Sequence, residues 1–334
     1  MSIRKKVSVR FIAHKAGVST ATVSRVLNNN KNVTEETRQK VLDVISKYKY
    51  DAPAVSSSKI DKIGVVIISS ESDYYHSILG NIGRFFRDRG ISTIAVNTEG
   101  VENYLPVALS TLYDAKVQGI ILVSCSYQSV RENLHHKIPH VWIDCNDPAN
   151  LTADICTVQS DHYISGKLAA RELLDKGCRN PIILSGPEIS VRGADRSRGF
   201  IEECRSVGIE VSSDQIINLA GIKSPVTESQ EMIRYLITKE FPFDSVFATN
   251  DRRALGVYMG LLKLGFEIPK DIRLIGFDGV SHANTEVLNI TSIQQNIPLM
   301  TRSACELLLK LIQHEYIEER NIQIPTALLP GQTT

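Results

Sequence analysis

The chain has 334 residues, 43% of them apolar, and a formal net charge of +1. That length allows two or three domains with a substantial core, and the absence of any run of 18 or more apolar residues argues against a transmembrane helix. The basic start MSIRKKVSVRFIAHKAG continues into no apolar h-region or small-residue cleavage site, so no secretion signal is expected. Six cysteines (Cys125, Cys145, Cys156, Cys178, Cys204, Cys305) lie scattered without a C-x-x-C pair, which predicts reduced thiols in a cytoplasmic protein rather than disulfides or a zinc site.

The near-zero charge hides an asymmetry. Residues 1–59 hold twelve Lys/Arg against Glu35, Glu36, Asp43 and Asp51, a net +8, which leaves −7 for the remainder. A basic head on a mildly acidic body predicts a polyanionic partner at the head. The head reads as three short helices. The first covers about Val9 to Ala16 with Ser8 as N-cap, and Gly17 is the turn. The second follows Ser19, a cap, and runs to about Leu27. After the polar NNNKN loop, Thr34 caps a third helix whose apolar face is predicted as Val41, Leu42, Ile45 and Tyr48. The small, polar stretch DAPAVSSSKIDK (51–62) reads as a linker.

From Ile63 onward short apolar runs recur: IGVVII (63–68), STIAV (92–96), GIILVS (119–124), HVWIDC (140–145), NPIILSG (180–186), DSVFATN (244–250) and RLIGFD (273–278). Most are separated by 12–20 residues of helical periodicity, several ending in glycine. Continuous apolar strands alternating with helices predict an α/β body with parallel sheets covered on both faces. About 270 residues exceed one such unit, so two lobes are expected.

Two short helices joined at Gly17 fit helix-turn-helix geometry. In that geometry the second helix enters the major groove, with its N-terminal residues at base edges. Thr20, Ala21, Thr22 and Ser24 are small enough to let the helix sit deep, and Arg25 is suited to bidentate contact with guanine. Val18, Val23, Val26 and Leu27 pack the opposite face. A protein-docking three-helix head is the alternative; steep salt dependence of binding separates the two.

The segment VSVRFIAHKAGVSTATVSRVLNNNKNVTEETRQKVLDVI closely resembles the headpiece of the lactose-repressor/galactose-repressor (LacI/GalR) family of bacterial transcription regulators. The resemblance extends through IGVVI, the R-x-x-G-F at Arg196 to Phe200, NDRRALG (250–256), IPKDIRLIGFDG (268–279) and the ending IPTALLPGQTT, so it covers essentially the whole length. It implies a small all-α helix-turn-helix head (1–50), a linker or hinge (51–62) and a two-lobed body similar to type I periplasmic binding proteins (63–334). The N-lobe would take 63–160 and 291–322, and the C-lobe 161–290 and 323–334. By the family pattern Thr20, Ala21 and Arg25 read bases. Ser19, Thr22, Ser24, Asn28 and Asn32 touch or approach phosphates, which fix register rather than sequence. One departure concerns the hinge: no leucine lies between Tyr50 and Ile60, and Val55 is the only substitute. Weaker bending of the duplex than the family norm is therefore expected.

Ligands of such folds sit at the carboxyl ends of strands. Asp144, Asn250 and Asp278 end apolar runs, and Arg196 stands in what reads as the long loop GPEISVRGADRSRGF. All four match family positions that bind effector, and acceptors beside an Arg fork can address neighbouring hydroxyls. Tyr74 and Tyr75 match the family's aromatic pair after the first strand. Ser69, Ser70 and Trp142 are further candidates. The pattern favours a sugar over a purine, with a purine or other non-sugar effector left open.

Enzyme readings find no support: no G-x-x-x-x-G-K-[ST], no G-x-S-x-G and no dinucleotide fingerprint after a strand is present, and no cofactor is expected. His135, His136 and His140 have a metal-like spacing, but Pro139 interrupts any helix that would align them. A sugar-binding protein without regulatory role would lack the basic head. The expectation is therefore a cytoplasmic repressor of sugar-utilisation genes, not an enzyme, acting as a homodimer on double-stranded operator DNA under control of a small-molecule effector between the lobes. With the sequence stopping at GQTT, no tetramerising heptads are expected.

Overall fold

The computed structural model describes residues 8–27, 33–48, 60–69, 72–135, 137–145, 155–187, 191–280 and 288–334. In the head, α1 (Val9–Ala16), α2 (Thr20–Leu27) and α3 (Glu35–Lys47) start and stop where their caps require. Ser8 Oγ accepts the Phe11 N–H at 3.3 Å, and Gly17 ends α1 at φ 68°, a conformation that favours glycine. Ser19 Oγ accepts the Thr22 N–H at 3.1 Å, and Thr34 Oγ1 accepts that of Thr37 at 3.4 Å. Ile12, Ala13, Val23, Val26 and Val41 close a small core, with Val44, Ile45 and Tyr48 packed against it. Leu42, expected on this face, is 41% exposed. At 100° per residue the stripe through 41, 45 and 48 takes in 44 and turns 42 outward.

The body's first sheet has the order β11-β5-β4-β3-β1-β2. Its strands are β1 (Lys62–Ile67), β2 (Ser92–Asn97), β3 (Ile120–Val123), β4 (His140–Ile143), β5 (Cys156–Ser160) and β11 (Asn321–Ile324). The helices α4 (Asp73–Arg87), α5 (Leu105–Asp114), α6 (Tyr127–Val130) and α11 (Ile297–Ile312) belong with it. The second sheet runs β12-β10-β9-β8-β6-β7. It comprises β6 (Pro181–Ser185), β7 (Ile216–Asn218), β8 (Ser245–Ala248), β9 (Arg273–Asp278), β10 (Ser292–Gln294) and β12 (Ala327–Leu329). Helices α7 (His162–Asp175), α8 (Val191–Ser206), α9 (Pro225–Thr238) and α10 (Asp251–Lys263) accompany it. All pairings are parallel except β10 with β12. Each central strand is buried on both faces, which is why it reads as an unbroken apolar run. Among the described residues no helix is long and apolar enough to cross a membrane.

The chain passes between lobes three times, after β5, after β10 and after β11. Two of these passages sit slightly beyond the expected boundaries. Residues 292–294, expected in the first lobe, pair with β9 in the second sheet, and Gln323 and Ile324, expected in the second lobe, pair with β5 in the first. The three crossings are bonded to one another: Ser160 Oγ donates to Gln295 Oε1 at 2.6 Å, and Ser165 and Thr326 hydroxyls meet at 2.8 Å.

Within the second lobe α7 and α8 approach so closely that side chains are excluded at their crossing. A Cβ on Gly166 would overlap the Arg196 carbonyl oxygen, and one on Gly199 would overlap that of Tyr163. This backbone contact sets where α8 lies, and with it the side chains α8 sends toward the first lobe. Gly166→Ala is expected to destabilise by about 1–3 kcal/mol through this overlap. Gly80→Ala, at an exposed α4 position with nothing within 4 Å of the new Cβ, is expected to be stabilising by about 0.5–1 kcal/mol. Urea unfolding of the two variants gives opposite shifts in midpoint; shifts of the same sign contradict the packing account.

Candidate functional site

On the head, α2 divides into two faces. Val23 and Val26 are buried, while Thr20, Ala21, Thr22 and Ser24 stay partly accessible and Arg25 is exposed. The i, i+1, i+4, i+5 spacing of Thr20, Ala21, Ser24 and Arg25 sets them on one side of the helix. Ser19 is spent on capping, and its hydroxyl also meets that of Thr22 at 2.9 Å. Asn28 and Asn32 lie outside the described residues.

In the body, the carboxyl ends of the two sheets border a cavity of about 530 Å³. Ile68, Ser69, Tyr74 and Tyr75 line it from the first lobe. Ser185, Gly186, Thr249, Asn250 and Asp278 line it from strand ends of the second. Asn250 caps α10, its Oδ1 accepting the Arg253 N–H at 2.8 Å. Asp278, 9% exposed, adopts φ 116°, and its Oδ1 accepts from Gln295 Nε2 at 2.8 Å. Ser124 (φ 58°) and Asp144 (φ 50°) also end strands in the left-handed region. Non-glycine residues held there store strain, of order 1–3 kcal/mol each, that surrounding contacts must enforce.

Arg196 is not in a loop. It lies on α8, one turn after Arg192, and both guanidiniums reach the cavity wall. Arg196 is 7% exposed; its Nη1 donates to the Thr249 carbonyl at 2.6 Å, its Nε donates to His162 Nδ1 at 3.3 Å, and its guanidinium lies 3.5 Å over the Phe277 ring. Arg192 Nη1 donates to Ser124 Oγ at 2.8 Å and stands 3.7 Å from Asp144 Oδ2.

Asp144 is 0% exposed and sits behind this wall rather than on it. Tyr74 Oη donates to its Oδ2 at 2.5 Å, the Ser160 N–H to its Oδ1 at 3.3 Å, and His162 Nε2 stands 3.3 Å from Oδ1, off-line for a hydrogen bond. Burial alone would raise this carboxyl, but the charges and contacts of His162, Arg192 and Tyr74 hold it well below the usual carboxylate range. Burial, reinforced by Arg196 and Arg192, pushes His162 below its ordinary value despite Asp144. Of these partners, the Arg192 guanidinium is the one that stays charged across the working pH range. On the other side of the cavity, burial raises Asp278, while burial and then the Asp278 charge push the underlying Asp251 up to about 8.

Of the expected body residues, the structure brings Arg196, Asn250, Asp278, Tyr74, Tyr75 and Ser69 to one cavity. Trp142 is a correction: it lies in the core of the first lobe, edge-on to Tyr127 at 5.9 Å, because it points to the face of the sheet that α5 covers. Ser70 is outside the described residues. Sequence reasoning missed Arg192, Arg252, Arg253, His162 and Gln295. The i, i+4 spacing of Arg192 and Arg196 would have exposed the first, had residues 191–206 been read as a helix. His135 and His140 both adjoin Tyr113, whose hydroxyl accepts the His135 N–H at 3.0 Å and meets His140 Nε2 at 3.2 Å. Among the described residues no group of three potential ligands could hold a metal.

Two family models match the chain: bacterial regulatory proteins of the lacI family over residues 9–52, and a periplasmic binding protein-like domain over residues 170–334. The chain is 28% identical over 326 residues to the HTH-type transcriptional repressor PurR of Mannheimia succiniciproducens, covering 96% of this chain and 97% of that one. It is 27% identical over 332 residues to the ribose operon repressor of Escherichia coli, covering 96% and 98%. Among solved structures, the lac repressor dimer bound to operator and the anti-inducer ONPF superposes with a TM-score of 0.73 at 21% identity, covering 98% of this chain and 99% of that one.

The buried pair gives a pH signature. His162 has a folded pKa below its unfolded value of about 6.5. Its neutral form therefore contributes stability above that pH, which is lost as the pH falls toward the folded value. In His162→Gln this proton uptake is absent, while the acidic groups are common to both chains. Between pH 7 and 5 the unfolding free energy of the parent is expected to fall relative to that of H162Q. A difference that stays constant would show an imidazole with the same pKa folded and unfolded, and a parent that gains stability relative to H162Q would show one held charged in the folded state.

Proposed function

Because the chain belongs to the lacI family of bacterial regulatory proteins, and is thus a transcriptional repressor with a ligand-binding body rather than an enzyme, we propose that it grips a pseudo-palindromic operator as a homodimer through α2 and releases it when a sugar occupies the cavity between its lobes. The observation that carries the DNA half is the solvent-facing side of α2. A capped helix presents Thr20, Ala21 and Arg25 to base edges, and the hydroxyls of Ser19, Thr22 and Ser24 flank them toward phosphates. Asn28 and Asn32 would extend the phosphate contacts. Ala21 offers only an apolar contact, so base choice rests on Thr20 and Arg25. The +8 charge of residues 1–59 supplies the sequence-independent attraction. Two-fold symmetry would set the recognition helices about 34 Å apart, in successive major grooves; the lac repressor structure it resembles is a dimer on operator. Work on chromosomal DNA fits a cytoplasmic location.

For the effector half, Asp278, Asn250 and Gln295 present acceptors and donors in one cavity that Tyr75 also lines. That is the equipment for adjacent hydroxyls and a sugar face. Similarity to the ribose operon repressor supports this reading. A purine is the second reading, favoured by the similarity to PurR. Whichever is bound, it acts only through unequal affinity for two arrangements of the lobes. Tyr74, Arg192 and Arg196 are the groups whose contacts closure would alter.

The test is retention of duplexes selected by the full chain from a random library. Retention is expected to weaken steeply with salt, and Arg25→Ala is expected to cost roughly 1–3 kcal/mol on the best duplex. Asp278→Ala is expected to keep duplex binding and lose its response to sugar. Salt-independent retention, or an R25A chain that binds as the parent does, contradicts the docking; a D278A chain that still responds removes Asp278 from the site.

A further inference from the structure

The cavity carries more positive charge than a neutral sugar uses. Among the described residues four guanidiniums line it, Arg192, Arg196, Arg252 and Arg253, against one lining carboxylate, that of Asp278. Arg192 and Arg196 have protein partners that account for them. Arg253 differs: among the described residues its guanidinium makes no side-chain hydrogen bond or ion pair, and its Nε is buried without a partner. It lies beside Gly186, where an added Cβ would come within 2.4 Å of Nη2. Among the described residues the other carboxylate that acts on it is Glu228, which is occupied by the backbone N–H groups of Gly221, Ile222 and Lys223. Burial and then the neighbouring Arg196 charge push Arg253 down to about 10, a sign that its cation is under-compensated. Arg253 also sits in the first turn of α10, the positive end of a 13-residue helix, where a cation is unfavourable unless an anion joins it. A buried charged donor without an acceptor is costly, and an oxyanion is the group that meets a guanidinium fork with two short bonds.

We propose that the effector is a monosaccharide bearing an oxyanion, phosphate or carboxylate, which seats between Arg253 and Arg196 over Gly186 while its hydroxyls face Asp278 and Gln295. This rests on the reading of the cavity as the effector site and specifies the chemical class it takes. A cavity of about 530 Å³ holds such a molecule. Its cationic wall draws the anion in, and the anion's charge is what separates it from the neutral sugar of the same shape.

The experiment uses the full chain and inorganic phosphate as the probe, against chloride at constant ionic strength, with the thermal midpoint as readout. Phosphate is expected to raise the midpoint of the parent and of Arg253→Lys in a concentration-dependent way, and to leave Arg253→Met unmoved. Should R253M lack a cooperative transition, Gly186→Ala, which displaces the guanidinium, is expected to show the same loss. Equal stabilisation of parent and both charge-displacing variants, or none in the parent, overturns the proposal. Calorimetric titration then compares ribose 5-phosphate, glucose 6-phosphate, gluconate and galacturonate with ribose, glucose and galactose. At least one oxyanion sugar is expected to bind tenfold more tightly than its neutral counterpart in the parent and within twofold of it in R253M; the phosphate and acid arms tell the two sources apart. Neutral sugars that bind as well as every anion overturn it. Duplex retention by the same parent preparation reads the repressor assignment separately, so a failure there is not mistaken for a failure here.

Discussion

Asp144 is the carboxylate on which the arrangement of the body turns. It ends β4 in the first lobe with no exposed surface, and two of its neighbours, Arg192 and His162, come from helices of the second. A buried charge is tolerable only when its partners are in place, and removing one partner costs far more than the pair contributes. The two lobes therefore meet through a polar cluster, beside which Val280 of the second lobe packs into the apolar core of the first. Tyr74 from α4 completes the cluster on the first-lobe side. The position of α8 depends in turn on the glycine contact with α7, so the packing of two helices inside one lobe decides where the guanidiniums meet the other. Clusters of this type have discrete satisfied arrangements rather than a continuum.

Charge is distributed in two places with two uses. On the head it is spread over many Lys and Arg residues, suited to a long polyanion whose counterions are released on binding. In the cavity, among the described residues, it is concentrated on four guanidiniums, two of them paired with protein groups and one beside a glycine. The crossings that join the lobes are hydrogen-bonded together through Ser160, Gln295, Ser165 and Thr326, and Gln295 also touches Asp278. Asp278 is therefore tied through Gln295 to the crossings between the lobes.

Much of this was legible in the sequence because the physics is local. Ser8, Ser19 and Thr34 cap the helices that follow them, and Gly17 ends the first, so the head's boundaries could be read from single residues. The seven apolar runs became strands because a parallel strand buried on both faces has no polar positions to interrupt it. The short strands at the sheet edges and crossings, such as Ser292–Gln294 and Asn321–Ile324, were not legible, since their residues carry no apolar run and their pairing depends on distant partners. The site was half readable. Strand-end positions gave Asn250 and Asp278, but reading 191–206 as a loop concealed Arg192, and nothing in the sequence told which face of β4 Trp142 would take. Arg252 and Arg253 stood in view within NDRRALG, yet only the fold shows that the first turn of α10 opens onto the cavity.

The most direct test of the central claim is a double-mutant cycle on Asp144→Asn and Arg192→Met, read by urea unfolding of the full chain. If the two residues clasp the lobes, the double variant is more stable than the sum of the single losses implies, with a coupling of about 1–3 kcal/mol. Additive losses, within about 0.5 kcal/mol, would show that each residue is held by other partners and that the lobes are joined elsewhere.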